Sequence, residues 1–99
     1  MKTKKLAPIH PGEILREEFM RPRGLSQNEL ARALNVPPRR INEIILGKRM
    51  VTADTDLRLC RFFSMSDGFF LRLQMAHELE AHKRAIKPVL ESIRPHQAA

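Results

Sequence analysis

The chain has no Trp, no Tyr and a single Cys, and only five Phe among its 99 residues. Each shortage closes a door. So few aromatic side chains argue against a base-stacking platform for single-stranded nucleic acid. Cys60 alone forms no internal disulfide, and there is no Cys pair to hold zinc. A reducing, cytoplasmic setting is expected. No apolar run reaches the roughly 18 residues of a membrane-spanning helix. The basic start (Lys2, Lys4, Lys5) leads into Leu6-Ala7-Pro8-Ile9-His10-Pro11 rather than an apolar core, so it does not read as a signal peptide. Alternating β-branched runs are also missing, while Pro and Gly fall between segments of helical period. The length makes one small domain, with no room for separate nucleotide-binding and catalytic domains.

What is present in excess is positive charge. Eighteen Lys and Arg face eleven Asp and Glu, a net +7. Residues 1–50 carry 11 basic and 5 acidic side chains; residues 51–99 carry 7 and 6. Charge localised in this way suits a polyanionic partner, although it also serves solubility.

Five helices are expected. The first opens at His10-Pro11-Gly12-Glu13, with Pro11 in the first turn and Ile14, Leu15 and Phe19 facing inward, and ends at Pro22 and Gly24. The second starts at Ser26, where Ser26-x-x-Glu29 spells a capping box, and buries Leu30, Ala31 and Leu34. Asn35 suits the left-handed residue that ends it. Pro37-Pro38 opens the third, which carries Ile41, Ile44 and Ile45 and stops at Gly47. Thr52 caps the fourth, with Asp54 and Asp56 complementing its dipole. The fifth follows Ser66 and reaches Lys83 or Ile86, with Pro88 interrupting it. Residues 1–9 are expected to form a flexible basic arm, 10–87 the domain, and 88–99 a C-terminal tail.

Residues 26–47 thus place two helices and a tight turn in the length of a helix-turn-helix. Ala31 is small where the helices cross, Asn35 sits at the turn, and Leu30, Leu34, Val36, Ile41 and Ile44 supply the packing. An ordinary helical hairpin is the alternative. The polar side of the third helix carries Arg39, Arg40, Asn42 and Glu43, where a recognition helix meets base edges. Arg reads guanine, Asn reads adenine, and Glu accepts from cytosine. A merely solvated face is the rival reading. Gln27, at the start of the second helix, and Lys48 and Arg49, just past the third, are expected to contact phosphates.

The stretch from His10 to Gln74 resembles the HigA-type antitoxins of the Xre/Cro-like helix-turn-helix regulators. The resemblance is carried by His-Pro-Gly-Glu-Ile-Leu-Arg-Glu-Glu-Phe (10–19), Gly-Leu-Ser-Gln (24–27), Val-Pro-Pro-Arg-Arg-Ile-Asn-Glu-Ile (36–44) and Gly-Lys-Arg (47–49). Thr-Ala-Asp-Thr (52–55), Arg-Leu-x-Arg-Phe-Phe (58–63) and Leu-x-Leu-Gln (71–74) continue it. It implies an all-α, five-helix, lambda-repressor-like domain that dimerises, binds a palindromic double-stranded operator in its own operon, and neutralises a RelE-like ribonuclease toxin. Phe70 stands where the family usually carries Trp, and Arg72 where it usually carries Asn.

On the fifth helix, Phe69, Phe70, Leu73 and Ala76 fall on one side, and Leu71, Met75, Leu79, His82 and Ile86 on another. The first face suits the domain core. The second suits a twofold dimer seam, unless the chain after Pro88 covers it. His77 and His82 do not make a zinc pair, because that needs i and i+4 spacing and theirs is i and i+5. No metal, cofactor or catalytic residue is expected, and Cys60 reads as a small core residue. Three rivals to the antitoxin reading stand at this level: a stand-alone regulator of the same fold, an enzyme (a metal-dependent hydrolase or a nuclease), and a pure protein-interaction module.

Overall fold

The computed structural model describes residues 9–97, so most of the basic arm expected at 1–9 lies outside the described residues. The described residues are helical, without strands. Helix α1 begins at Pro11–Ile14, widens into a π-helical stretch over Leu15–Met20, and closes with a 3₁₀ turn at Arg21–Arg23. Helices α2 (Gln27–Leu34), α3 (Pro38–Ile45), α4 (Ala53–Phe63), α5 (Phe69–Ala85) and α6 (Lys87–Ser92) follow.

The helix starts show why the chain breaks where it does. The His10 ring caps α1, its Nδ1 accepting from the Gly12 N–H at 2.9 Å, with Pro11 in the first turn. The Ser26–Glu29 capping box is complete: Ser26 Oγ accepts from Glu29 N–H at 3.0 Å, and Glu29 Oε1 accepts from Ser26 N–H at 2.9 Å. Thr52 Oγ1 caps α4 by accepting from Thr55 N–H at 3.3 Å.

The ends of α1 to α4 share one device. Gly24, Asn35, Gly47 and Ser64 all take left-handed backbone angles. In each case the next residue donates back across the turn: Leu25 to Met20, Val36 to Ala31, Lys48 to Glu43 and Met65 to Cys60, at 2.8–3.0 Å. These are Schellman closures, which satisfy otherwise orphaned carbonyls.

The π stretch in α1 was not expected from the sequence. Its i→i+5 bonding, with Arg21 N–H donating to Arg16 O, puts Met20 on the inward side together with Leu15 and Phe19. An unbroken α-helix would carry Met20 well round from Leu15. Phe19 then sits at the centre of an aromatic cluster, with ring centroids 5.0 Å from Phe63 and 5.2 Å from Phe70. Phe70 is fully buried and fills its core slot, as does Cys60. On the other side of α1, Gly12 crosses α3 so closely that a Cβ there would strike the Ile44 carbonyl.

The start of α5 depends on a side chain from another helix. Gly68 precedes α5 and offers no capping side chain. The carboxylate of Asp56, from α4, accepts instead from the N–H groups of Gly68 (2.6 Å), Phe70 (2.9 Å) and Leu71 (3.1 Å). Asp56 is buried, although its sequence position suggested only a partner for the α4 dipole. Gln74 ties α5 to the loop before α4. Its Oε1 accepts from Val51 N–H at 2.6 Å and its Nε2 donates to Val51 O at 2.9 Å.

The C-terminus keeps one expectation and changes others. Helix α5 stops at Ala85, just before Pro88, as expected, but Pro88 also lies in the first turn of a further helix, α6, where a missing N–H costs no hydrogen bond. Among the described residues the helices number six rather than five, and part of the expected 88–99 tail is helical.

Asp56→Ala should destabilise the fold by about 3 kcal/mol, because it strands buried N–H donors that a charged acceptor now satisfies. Asp56→Asn should cost less, since the amide keeps one acceptor. Chemical denaturation at pH 7 measures both, and equal small losses would remove Asp56 from this role.

Burial and the neighbouring His77 ring hold the His10 imidazole below its ordinary pKa, against a smaller opposing effect of Glu13. The unfolded chain thus takes up this proton first, so stability is full above about pH 6.5 and declines from there down to the lowered folded value. Protonation also removes the Nδ1 acceptor that caps α1. His10→Asn caps without titrating. Between pH 7.5 and 5.5 the melting temperature of the wild type should fall relative to that variant, and parallel curves would contradict the proposed coupling.

Candidate nucleic-acid interface

Helices α2 and α3 pack through Leu30, Ala31, Leu34, Ile41 and Ile44, all buried. Ala31 has no exposed surface, which lets the two axes approach. Asn35 at φ 62° turns the chain, and Pro37 at φ −65°, ψ 142° delivers it extended into α3. With its inner side committed to the core, α3 presents Arg39, Asn42 and Glu43 outward. Its eight residues span about 12 Å, comparable to the width of a major groove.

The outward residues form a connected surface. Asn42 Nδ2 donates to Gln27 Oε1 at 3.2 Å, joining α3 to the start of α2. Glu43 takes one arginine on each oxygen: Arg39 Nε at 2.8 Å on Oε2 and Arg49 Nε at 2.9 Å on Oε1. Those two hydrogen bonds, that of Arg39 first, hold the Glu43 carboxyl below the ordinary glutamate range. The Arg39 side chain is 82% exposed. Lys48 is exposed on the turn that follows α3.

Arg40 is placed differently from its neighbour. Its Nη1 donates to Asp54 Oδ2 at 2.8 Å and reaches Thr55 Oγ1 at 3.4 Å, both at the start of α4. Only 27% of the side chain is exposed. One residue along a helix is a rotation of about 100°, enough to turn Arg40 from the outward face toward α4. There it braces α3 against α4.

Sequence reasoning missed Arg58, which supports the turn from behind. Its Nη1 donates to the carbonyls of Leu34 (2.8 Å) and Asn35 (3.2 Å), while its Nε donates to Asp54 Oδ2 at 3.0 Å. The Arg58 bond, ahead of that from Arg40, lowers the Asp54 carboxyl pKa. The i, i+4 spacing of Asp54 and Arg58 was a visible signal, but it did not reveal the turn as the second partner. His10 was also missed; its ring lies against Gly47, where a Cβ would come within 3.2 Å of Nε2. It also meets His77 of α5 edge-on, with centroids 5.2 Å apart. The turn leaving α3 is thereby backed by α1 and α5.

The two sides of α5 separate only partly as expected. Leu71 packs against the core, and its N–H bonds Asp56. Met75, Leu79, His82 and Ile86 are exposed, with Met75 at 55% and Leu79 at 58%. The chain after Pro88 does not cover them. Helix α6 adds the exposed Val89 and Leu90, and Ile93 follows. His77 and His82 diverge, the latter placing Nδ1 3.2 Å from Glu78 O. Among the described residues no group of three or more His, Cys, Asp or Glu side chains is arranged to hold a metal ion. No helix among them is long and apolar enough to cross a membrane.

A helix-turn-helix family profile matches residues 15–70. Virulence-associated protein I of Dichelobacter nodosus is 47% identical over 89 residues, covering 87% of this chain and 82% of its own. The antitoxin HigA of Pseudomonas aeruginosa, solved with the higBA promoter, superposes with a TM-score of 0.84. It is 40% identical over 91% of this chain and 99% of its own. The antitoxin GraA in complex with its operator gives a TM-score of 0.85 at 36% identity, over 99% of this chain and 100% of its own. The family is one of DNA-binding regulators and antitoxins rather than of enzymes. The chain belongs to the helix-turn-helix family, in the branch that holds the HigA antitoxins.

Proposed function

We propose that this chain is the antitoxin of a type II toxin–antitoxin pair: a homodimer that represses its own operon from a palindromic operator and also binds and neutralises a RelE-like ribonuclease. The observation that carries the DNA half is the outward face of α3, where Arg39, Asn42 and Glu43 stand clear of the core beside Gln27 and Arg49. The HigA and GraA structures with promoter and operator DNA support the same use of this fold.

Arg39 and Asn42 reach base edges in the major groove, while Gln27, Lys48 and Arg49 lie over flanking phosphates. Arg40 contributes from behind, by fixing α3 on α4. The exposed residues Met75, Leu79, His82 and Ile86 pair two copies across a twofold axis, extended by the apolar residues of α6. Pairing sets the two recognition helices for half-sites one turn of DNA apart. The toxin follows from kinship with the HigA antitoxins, and a stand-alone repressor is the other form that kinship allows.

Arg39→Ala should cost about 1–3 kcal/mol of binding to the upstream duplex and relax preference at one base pair. Lys48→Ala should weaken operator and random duplex alike and lower the salt slope by about one. Titrations at several salt concentrations separate these roles, and equal losses on both DNAs for Arg39→Ala would make it a phosphate contact.

Met75→Asp with Leu79→Asp should give a folded monomer in analytical ultracentrifugation that has lost cooperative operator binding. A dimer that persists would place the seam elsewhere. Co-purification of the tagged chain with the product of the adjacent gene, followed by a ribonuclease assay, tests the toxin. Operator binding without a co-purifying ribonuclease would favour the stand-alone repressor.

A further inference from the structure

We propose that Glu43 is a positioning residue for DNA recognition: one carboxylate that holds Arg39 and Arg49 by their Nε atoms and leaves the outer edge of each guanidinium free to meet DNA. This rests on α3 being the helix that enters the groove. Residue type alone had suggested that Glu43 reads cytosine, and its charge opposes phosphate.

The geometry favours a clamp. Both Glu43 oxygens already accept an arginine N–H in the free protein, at 2.8 and 2.9 Å. Both bonds use Nε, so neither spends the paired Nη groups that form a bidentate fork. The carboxylate side chain is 22% exposed, while those of Arg39 and Arg49 are 82% and 46% exposed; the acid lies beneath and the cations above. Glu43 holds the same region by its main chain, since its carbonyl accepts from Lys48 N–H at 2.8 Å and Arg49 N–H at 3.2 Å. One residue thus fixes both the path of the turn and the direction of two side chains that flank it.

The physical benefit is preorganisation. An unrestrained arginine loses much rotamer freedom when it settles on a base or phosphate, and ordering it beforehand removes part of that cost. The trio also keeps a net charge of +1, so the acid at its centre does not turn the surface against DNA. Exposed ion pairs contribute little to folding. The expected effect of losing the clamp is therefore on recognition and not on stability.

Glu43→Gln and Glu43→Ala test this in the full chain. Each removes one negative charge, so a purely electrostatic role predicts the same gain in affinity for any duplex from both variants. The clamp predicts a split. Binding to a scrambled duplex should strengthen slightly, while preference for the upstream duplex over the scrambled one should fall. For Glu43→Ala that fall should be on the order of tenfold. Glu43→Gln, which keeps one acceptor, should fall less. Without DNA, the Arg39 and Arg49 Nε–H resonances should exchange faster with solvent in both variants, at an unchanged melting temperature.

Equal strengthening on both duplexes, with unchanged preference, would overturn the clamp while leaving the DNA-reading role of α3 intact. So would a loss of preference on Glu43→Ala that persists in an Arg39→Ala background, which is the mark of direct reading by Glu43. A wild type with no preference for the upstream duplex would overturn the DNA-reading role itself, and the clamp with it. If Glu43→Ala fails to fold, Glu43→Gln and its exchange rates decide the matter alone.

Discussion

The buried carboxylate of Asp56 is the contact on which the arrangement of the other helices depends. It satisfies three N–H groups at the start of α5, a helix that has no cap of its own. A charged group removed from water is tolerable only with such partners. Two residues earlier, Asp54 points the other way and takes Arg40 from α3 and Arg58 from its own helix. A two-residue step on a helix is a rotation of about 200°, so the first turn of α4 offers acids on opposite sides. One side fixes α5 and the other steadies α3. The apolar core supplies the cohesion, and these two carboxylates set the directions.

Much of this fold is legible in the sequence because its boundaries are local. The capping box of Ser26 and Glu29, the Thr52 cap, the left-handed Asn35 and the stop at Gly47 all depend on residues within a turn of each other. What escapes sequence reading depends on distant partners or on a change of helical period. Asp56 looks like any acid at a helix start until α5 is seen to lack a cap. Met20 is buried because α1 changes its hydrogen-bonding period, and nothing in Leu-Arg-Glu-Glu-Phe-Met announces that. Ser64 closes α4 in a conformation usually left to Gly or Asn. Pro88 marks the end of α5 but gives no sign that it also opens α6.

The same division holds at the interface. Residue type and position pick out α3 and its polar side, and the structure places Arg39, Asn42 and Glu43 there. They do not separate Arg39 from Arg40, because the distinction lies in an acid 14 residues further on. Nor do they show that Glu43 is occupied by two arginines. On α5, helical period alone put Leu71 with Met75 and Leu79, whereas its contact with the core sets it apart.

The main-chain closures at the helix ends have a consequence for how such a protein changes over time. The turn between α2 and α3, and the turn that leaves α3, are held by backbone hydrogen bonds, while the packing of α3 rests chiefly on Ile41 and Ile44. The outward positions 39 and 42 carry little of the architecture. They are therefore free to vary without disturbing the scaffold, and if α3 reads DNA as proposed, a duplicated copy can acquire a new target sequence on the same frame. Within one genome, that freedom would let sister copies diverge until each ignores the other's control region.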